Sequence, residues 1–257
     1  MAEWTGLVSF LAAILLSFVD LRFSVVPLTG FVLLCLVAPF LPFFGYYLPV
    51  ISRGKSGEQA VAITFDDGPD PLCTPDLLRL LAKHGVHATF FVTGEKASEY
   101  PELIKEILRL GHSIGNHTYS HDNLMLLKGS HHLLSEIEKT QNILLKLGVL
   151  PYAFRPPAGV TSPGLHPVLL YLNLYAVNFS CRAFDGGNRR IRNLSKKILK
   201  RVRPDDIILL HDTRPRNDEL FYCWLHEIDQ ILTGIEAKSF TVLPLSAIIG
   251  RPVMGKP

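Results

Sequence analysis

Apolar and polar positions divide the chain into two unlike parts. Between Trp4 and Ser52 the only charged side chains are Asp20 and Arg22. The uncharged run over residues 4–19 is a little short for a bilayer crossing. The run over 23–52 is longer, and its core, residues 30–49, can cross one. Asp20-Leu21-Arg22 makes a polar turn between them, so the pattern predicts a membrane anchor over residues 1–52, built as a transmembrane hairpin. Trp4 at one end and Tyr46-Tyr47 at the other suit interfacial anchors. Pro39 and Pro42 predict a kink in the second span or an interfacial stretch, and Pro49 its end.

After a polar linker over residues 53–59, strand-like and helix-like segments alternate. Residues 60–65 place Val61, Ile63 and Phe65 at period two, as a strand does. Thr74-Pro75 gives a helix start, Leu77, Leu78 and Leu81 one helical face, and Gly85 a stop. The same reading predicts strands over 87–92, 112–116, 152–155, 175–181, 207–210 and 240–243. Helices are expected over 101–110, 130–147, 163–172 and 218–233. About seven strands interleaved with about six helices imply a parallel α/β sheet or barrel over residues 60–250. Active sites in such folds sit at the C-terminal ends of the strands.

Composition adds little beyond this division. Hydrophobic residues make up 48% and charged residues 19%, and the apolar excess lies in the first 52 residues. Met1-Ala2-Glu3-Trp4 lacks the basic start of a signal peptide, and no A-x-A cleavage pattern follows either run. A re-entrant or monotopic anchor is the alternative to the hairpin. Arg53 and Lys55, set against Arg22, leave the side of the catalytic domain open. A net charge of +3 is too small to argue for nucleic acid. The one basic stretch, residues 189–203, carries Leu194, Ile198 and Val202 at i, i+4 and i+8. It reads as an amphipathic helix with a solvated basic face, a contact with anionic lipid or substrate phosphate being the alternative. Cys35, Cys73, Cys181 and Cys223 show no paired spacing, so neither a disulfide framework nor a cysteine metal site is expected.

Polar residues collect at the strand ends. The first strand ends in Asp66-Asp67-Gly68-Pro69, and the third runs into His117-Thr118-Tyr119-Ser120-His121. Later strands end near Arg155, Asp185 and His211-Asp212. Each has a bland reading, as an acidic turn or a surface histidine. Their recurrence at successive strand ends favours a site. One carboxylate and two imidazoles suit a catalytic metal with open positions, and a second carboxylate that is not a ligand suits a general base. The same ligand types also hold non-haem iron.

Thr64-Phe65-Asp66-Asp67-Gly68-Pro69, His117-Thr118-Tyr119-Ser120-His121, Arg155-Pro156-Pro157 and Leu209-Leu210-His211 together resemble the polysaccharide deacetylase family, the NodB-homology domain of carbohydrate esterase family 4. Ala88-Thr89-Phe90-Phe91 and Gly111-His112-Ser113-Ile114-Gly115-Asn116 are similar to it as well. The resemblance covers roughly residues 60–245. It implies a distorted (β/α)7 barrel and a divalent metal, zinc in the first place with cobalt, nickel or manganese as alternatives. It implies Asp66 as base, Asp67, His117 and His121 as metal ligands, and Arg155 as the residue that holds the base. His211 corresponds to the general acid, oriented by Asp185. Leu209 lines the acetyl pocket, and Ala158 offers its backbone N–H to the oxyanion.

Two positions depart from the family's pattern. Ala158 stands where an aromatic residue is usual. Arg182 and Gly186 stand where the fourth motif usually has an aspartate and a tryptophan. Both changes bear on the groove more than on the chemistry. The expected activity is hydrolysis of an N-acetyl group on an amino sugar. The expected partners are an N-acetylated glycan or a lipid-linked amino sugar, together with a membrane, read as a bacterial inner membrane. A non-catalytic, membrane-tethered saccharide-binding protein is the alternative of another class.

Overall fold

The computed structural model describes residues 1–41, 43–122 and 128–256. The chain begins with helices α1 (Ala2–Ser17) and α2 (Val25–Val37). Strands β1 (Val50–Ile51) and β2 (Ala60–Asp66) follow, then α3 (Thr74–Lys83), β3 (Thr89–Val92), α4 (Gly94–Glu99), α5 (Pro101–Arg109) and β4 (Ser113–Asn116). The middle holds α6 (Gly129–Lys146), β5 (Leu150–Pro151), β6 (Ala153–Phe154), α7 (Leu165–Tyr171), β7 (Tyr175–Val177) and β8 (Cys181–Arg182). The last part holds α8 (Leu194–Arg201), β9 (Ile207–His211), α9 (Asp218–Ala237), β10 (Thr241–Val242), α10 (Leu245–Ile249) and β11 (Met254–Gly255).

The strands form a curled parallel sheet in the order β1-β7-β6-β4-β3-β2-β9-β8, with β10 pairing along the start of β2. This is the distorted (β/α)7 barrel that the motifs imply. Side-chain alternation sorts its two faces. Val61, Ile63, Phe65, Ile208 and Leu210 point outward and pack with Leu77, Leu81, Ile198, Trp224 and Ile228 of the surrounding helices. Ala60, Ala62, Ile207 and Leu209 share an inner cluster with Phe91, Leu245 and Ile248. The inward face of β2 therefore reads Ala60, Ala62, Thr64, Asp66. Small residues fill its base, and its only carboxylate lies at the C-terminal end.

The expected strand over 175–181 is two strands. β7 pairs with β6 and β1 on one side of the barrel, whereas β8 pairs with β9 on the other. Residues 178–180 cross the gap: Asn178 N–H donates to Ile51 O, and Ser180 N–H to Ile207 O. A run that alternates perfectly in sequence breaks because it closes the barrel. Val50 and Ile51, assigned to the anchor by hydropathy, belong to the sheet. A two-residue edge strand is too short to show a period.

The N-terminal helices form an antiparallel pair. With its flanking 3-10 turns the second runs over Leu21–Phe40, with mean hydropathy 2.2 and 6% of its most apolar window buried. It is long and apolar enough to cross a membrane, a test that an N-terminal signal sequence also passes. The expected core at 30–49 is displaced toward the N-terminus. The helix stops at Phe40, and residues 43–49 descend onto the barrel. Tyr46 is buried, its hydroxyl 2.6 Å from Thr5 Oγ1, and Tyr47 donates to Cys35 O at 2.8 Å. The two tyrosines thus tie the hairpin together rather than facing a lipid interface. Pro42 lies outside the described residues. The basic helix is shorter than expected: α8 covers Leu194–Arg201, and residues 189–193 form turns.

Candidate active site

All the polar residues singled out from the sequence meet at the C-terminal mouth of the barrel. They surround a groove of about 680 Å³ lined by Asp66, Asp67, His117, His121, Ala158, Asp185, Leu209 and His211. Arg155 lies beneath it, fully buried.

Asp66 is the last residue of β2 and points inward; Asp67 is the first residue past it. Its φ of 72° turns the carboxylate toward the histidines, and Lys96 Nζ holds its carbonyl at 2.7 Å. His117 follows β4, and its Nδ1 is 2.7 Å from Arg155 O. That contact makes Nδ1 the donor and leaves Nε2 with a free lone pair. His121 completes a short loop with φ 52°. Asp67 Oδ1 lies 3.3 Å from His117 Nε2 and 3.1 Å from His121 Nε2. One donor atom from each residue falls within 4.8 Å of the others. Asp67 Oδ1 is nevertheless buried without a hydrogen-bond partner. A buried carboxylate oxygen of this kind needs a positive charge. The three donors therefore fit a divalent cation with open coordination positions.

The electrostatics agree. Burial alone would raise the Asp67 pKa, but His117, His121 and His211 outweigh it and hold it well below the usual carboxylate range. Burial and the neighbouring His117 push His121 down, toward the neutral form that a ligand requires.

Asp66 is held apart from this set. Its Oδ1 accepts from Arg155 Nη1 at 2.6 Å, and its Oδ2 is 3.8 Å from His117 Nε2. Arg155 also donates to Thr64 Oγ1, Val177 O and Asn178 O, and its guanidinium stacks 4.0 Å from the Phe91 ring centroid. Gly115 makes this stack feasible, since a Cβ there would meet the Phe91 ring at 2.5 Å.

Across the groove, His211 Nδ1 is 2.7 Å from Asp185 Oδ2. Burial alone would lower the His211 pKa. The hydrogen bond and charge of Asp185, with the fields of Asp67 and Asp66, carry it up to about 9. Nε2 remains as the nitrogen available to the groove.

Two supporting residues escape the sequence reading. Asn188 Nδ2 donates to His211 O at 3.0 Å and to Thr213 O at 2.7 Å, locking the 185–190 turn onto the end of β9. Asp212, noted only as a neighbour of His211, is buried, and its Oδ2 accepts from Thr74 Oγ1 at 2.7 Å. Its carboxylate fills the space that a side chain at Gly68 would occupy, at 2.3 Å. An asparagine in a glycine-rich turn carries no periodic signal that distinguishes it from a loop residue.

Known proteins resemble this chain over most of the barrel. Residues 53–177 match the family model described as polysaccharide deacetylase. The chain is 32% identical over 203 residues to a chitooligosaccharide deacetylase of Azorhizobium caulinodans, covering 76% of this chain and 96% of that protein. It is 37% identical over 161 residues to a peptidoglycan-N-acetylglucosamine deacetylase of Bacillus cereus, covering 62% of this chain and 58% of the relative. Among solved structures, the Bc1960 peptidoglycan N-acetylglucosamine deacetylase in complex with 4-naphthalen-1-yl-N-oxidanyl-benzamide superposes with a TM-score of 0.71 at 32% identity. That match covers 79% of this chain and 94% of the other.

Proposed function

The chain belongs to the polysaccharide deacetylase family, and on that footing we propose that it hydrolyses the N-acetyl group of an amino sugar in a glycan, with Asp66 as base and His211 as acid. The observation that carries the reading is the pairing of two carboxylates with two different environments. Asp67 lies among the histidines with an unpartnered oxygen, and Asp66 is held by Arg155 beside it.

Asp67, His117 and His121 would hold the divalent metal on which this family's activity depends. The donor set of one carboxylate and two imidazoles favours zinc, with cobalt, nickel or manganese as substitutes. The metal, when bound, supplies Lewis acidity for water activation and carbonyl polarisation. Asp66 accepts the proton of the attacking water. Arg155 holds the Asp66 carboxylate in place while this happens. Ala158 lines the groove, and its backbone N–H serves the developing oxyanion. Leu209 borders the space for the acetyl methyl. As the C–N bond breaks, His211 Nε2 gives its proton to the leaving amine, and Asp185 holds the other nitrogen. The products are acetate and the free amino sugar.

The hairpin serves as a membrane anchor, placing the enzyme at a bacterial inner membrane. Among the described residues, sixteen large apolar side chains from Trp4 to Phe43, Phe18 at 84% and Trp4 at 74% among them, are more than half exposed on it or at its exit. A second reading of the substrate, the amino sugar carried on a membrane lipid, is favoured by the way this hairpin ends beside the groove. There Thr161 N–H donates to Pro39 O.

The test is acetate release by the metal-loaded, full-length protein from N-acetylglucosamine oligomers, peptidoglycan fragments and lipid-linked amino sugars. Release by the wild type and not by Asp66→Asn, with metal content equal, supports the reading. Sugar binding without release, at full metal occupancy, would make the chain a saccharide-binding protein instead.

A further inference from the structure

A second cavity, of about 490 Å³, adjoins the catalytic groove, and the two share Phe179, Arg182 and Phe184 as a common wall. Its far side is formed by Phe40, Leu41 and Phe43, where the apolar helix pair meets the barrel. Phe40 and Phe43 are each 67% exposed.

Two guanidinium groups line this cavity. Arg182 is stacked on Phe184 at 4.2 Å and on Phe179 at 5.1 Å, and Arg201 lies 5.7 Å from the Phe184 centroid. Among the described residues, neither takes part in an ion pair. The remaining cation of the cavity, Arg53, is neutralised by Asp206 at 2.7 Å. Asp185 acts on Arg182 electrostatically but is committed to His211. Burial lowers the Arg182 pKa more than the charge of Asp185 raises it. Two guanidiniums that line one cavity around the Phe184 ring, with unused donors, are suited to a phosphate, which takes multidentate hydrogen bonds. A neutral sugar polymer offers such a pair hydroxyl acceptors but no charge.

The order of features in space is informative. From the catalytic residues outward come the sugar-sized groove, the unpaired arginines, and then an apolar mouth at the end of a helix long enough to span a bilayer. A molecule that matches this order has a sugar, a phosphate and a hydrocarbon chain in sequence. We infer that Arg182 and Arg201 form a phosphate-binding subsite for a lipid-linked amino sugar, whose hydrocarbon leaves past Phe40 and Phe43 into the membrane. The inference deepens the deacetylase reading and rests on it for the identity of the sugar.

The test uses the full-length, metal-loaded protein in detergent micelles, with farnesyl phosphate, farnesol and inorganic phosphate as probes and binding read by calorimetry. Farnesyl phosphate is expected to bind at least about tenfold more tightly than either of the others. The double variant Arg182→Gln/Arg201→Gln should lose about tenfold of that affinity, and Arg182→Lys/Arg201→Lys should fall between the two. Equal binding of farnesyl phosphate and farnesol would overturn the inference, as would equal binding of inorganic phosphate or unchanged affinity in the double glutamine variant. Acetate release from N-acetylglucosamine oligomers, peptidoglycan fragments and lipid-linked amino sugars, measured on the same wild-type sample, tests the reaction separately. Phosphate-dependent binding without release from any of them would leave the subsite standing and remove the deacetylase reading.

Discussion

The two walls of the groove are built on opposite plans. The wall of Asp66, Asp67, His117 and Arg155 comes from strand ends, and hydrogen bonds to Asp66 Oδ1, His117 Nδ1, the Asp67 carbonyl and the Arg155 guanidinium fix it in place. The wall of residues 182–190 is a turn rich in glycine and arginine, with Phe184 56% exposed and Arg182 without an ion pair among the described residues. The first wall must present reacting groups with little freedom, and a barrel strand end does that at low entropic cost. On the proposed roles, the base and the metal ligands belong to the rigid wall, and the loose wall, apart from Asp185, bears on substrate choice, so mutations should separate the two.

The largest effect should come from Asp66→Asn. The variant keeps the shape and the hydrogen bond from Arg155 but loses the base. Turnover should fall on the order of 10³-fold while bound metal, measured by elemental analysis, stays unchanged. Loss of the metal as well would mean that Asp66 is a ligand, and the division between the two carboxylates would fail.

Arg155→Met sharpens the same wall from below. It removes donors to Asp66, Thr64, Val177 O and Asn178 O and leaves the Asp66 carboxylate buried without its cation. The expected cost is about 3–5 kcal/mol of stability, read as a lower denaturation midpoint. A stable variant that is merely inactive would show that Arg155 serves the base alone and not the barrel.

Much of this wall was legible in the sequence because strand alternation and motif spacing both report on it. Period two places Asp66 and Thr64 on one face, and His211 on the face of Leu209. The His117 to His121 spacing marks the loop proposed to supply the ligands. What period two cannot show is closure. Residues 175–181 alternate without a fault, yet Asn178, Phe179 and Ser180 leave the sheet to bridge its edges. Hydropathy likewise runs on to residue 52, although Tyr46 and Leu48 pack against protein. A transfer scale responds to apolar composition and not to what covers it. The loose wall was least legible of all, because its residues act through turns with positive φ at Phe184, Gly186, Gly187 and Asn188. Such turns have no repeat.

Between the walls stands His211. In the metal-free protein its imidazole should titrate at about 9 by NMR, because Asp185, Asp66 and Asp67 favour the cation more than burial opposes it. Asp185→Asn removes the hydrogen-bonded charge, so the pKa must move down. In the metal-loaded enzyme the alkaline limb of the pH–rate profile should move to lower pH with it, and kcat should fall about 10²-fold. A limb that stays in place would assign the acid to another group.

The smallest effect is expected at Asn188, where the loose wall is fastened to the rigid one. Its side chain satisfies the carbonyls of His211 and Thr213, and its backbone sits at φ 61°. Asn188→Gly loses the two hydrogen bonds but keeps the backbone unstrained, which should cost about 1–2 kcal/mol. Asn188→Ala loses the same bonds and adds about 1 kcal/mol for holding a Cβ in the left-handed region. Thermal melting should therefore rank wild type above Gly and Gly above Ala. The pH–rate profile should keep its position in both variants, because Asp185 still meets His211. If Ala melts above Gly, the turn does not hold its positive φ in solution. The seam between the walls would then be as loose as the arginine turn it fastens.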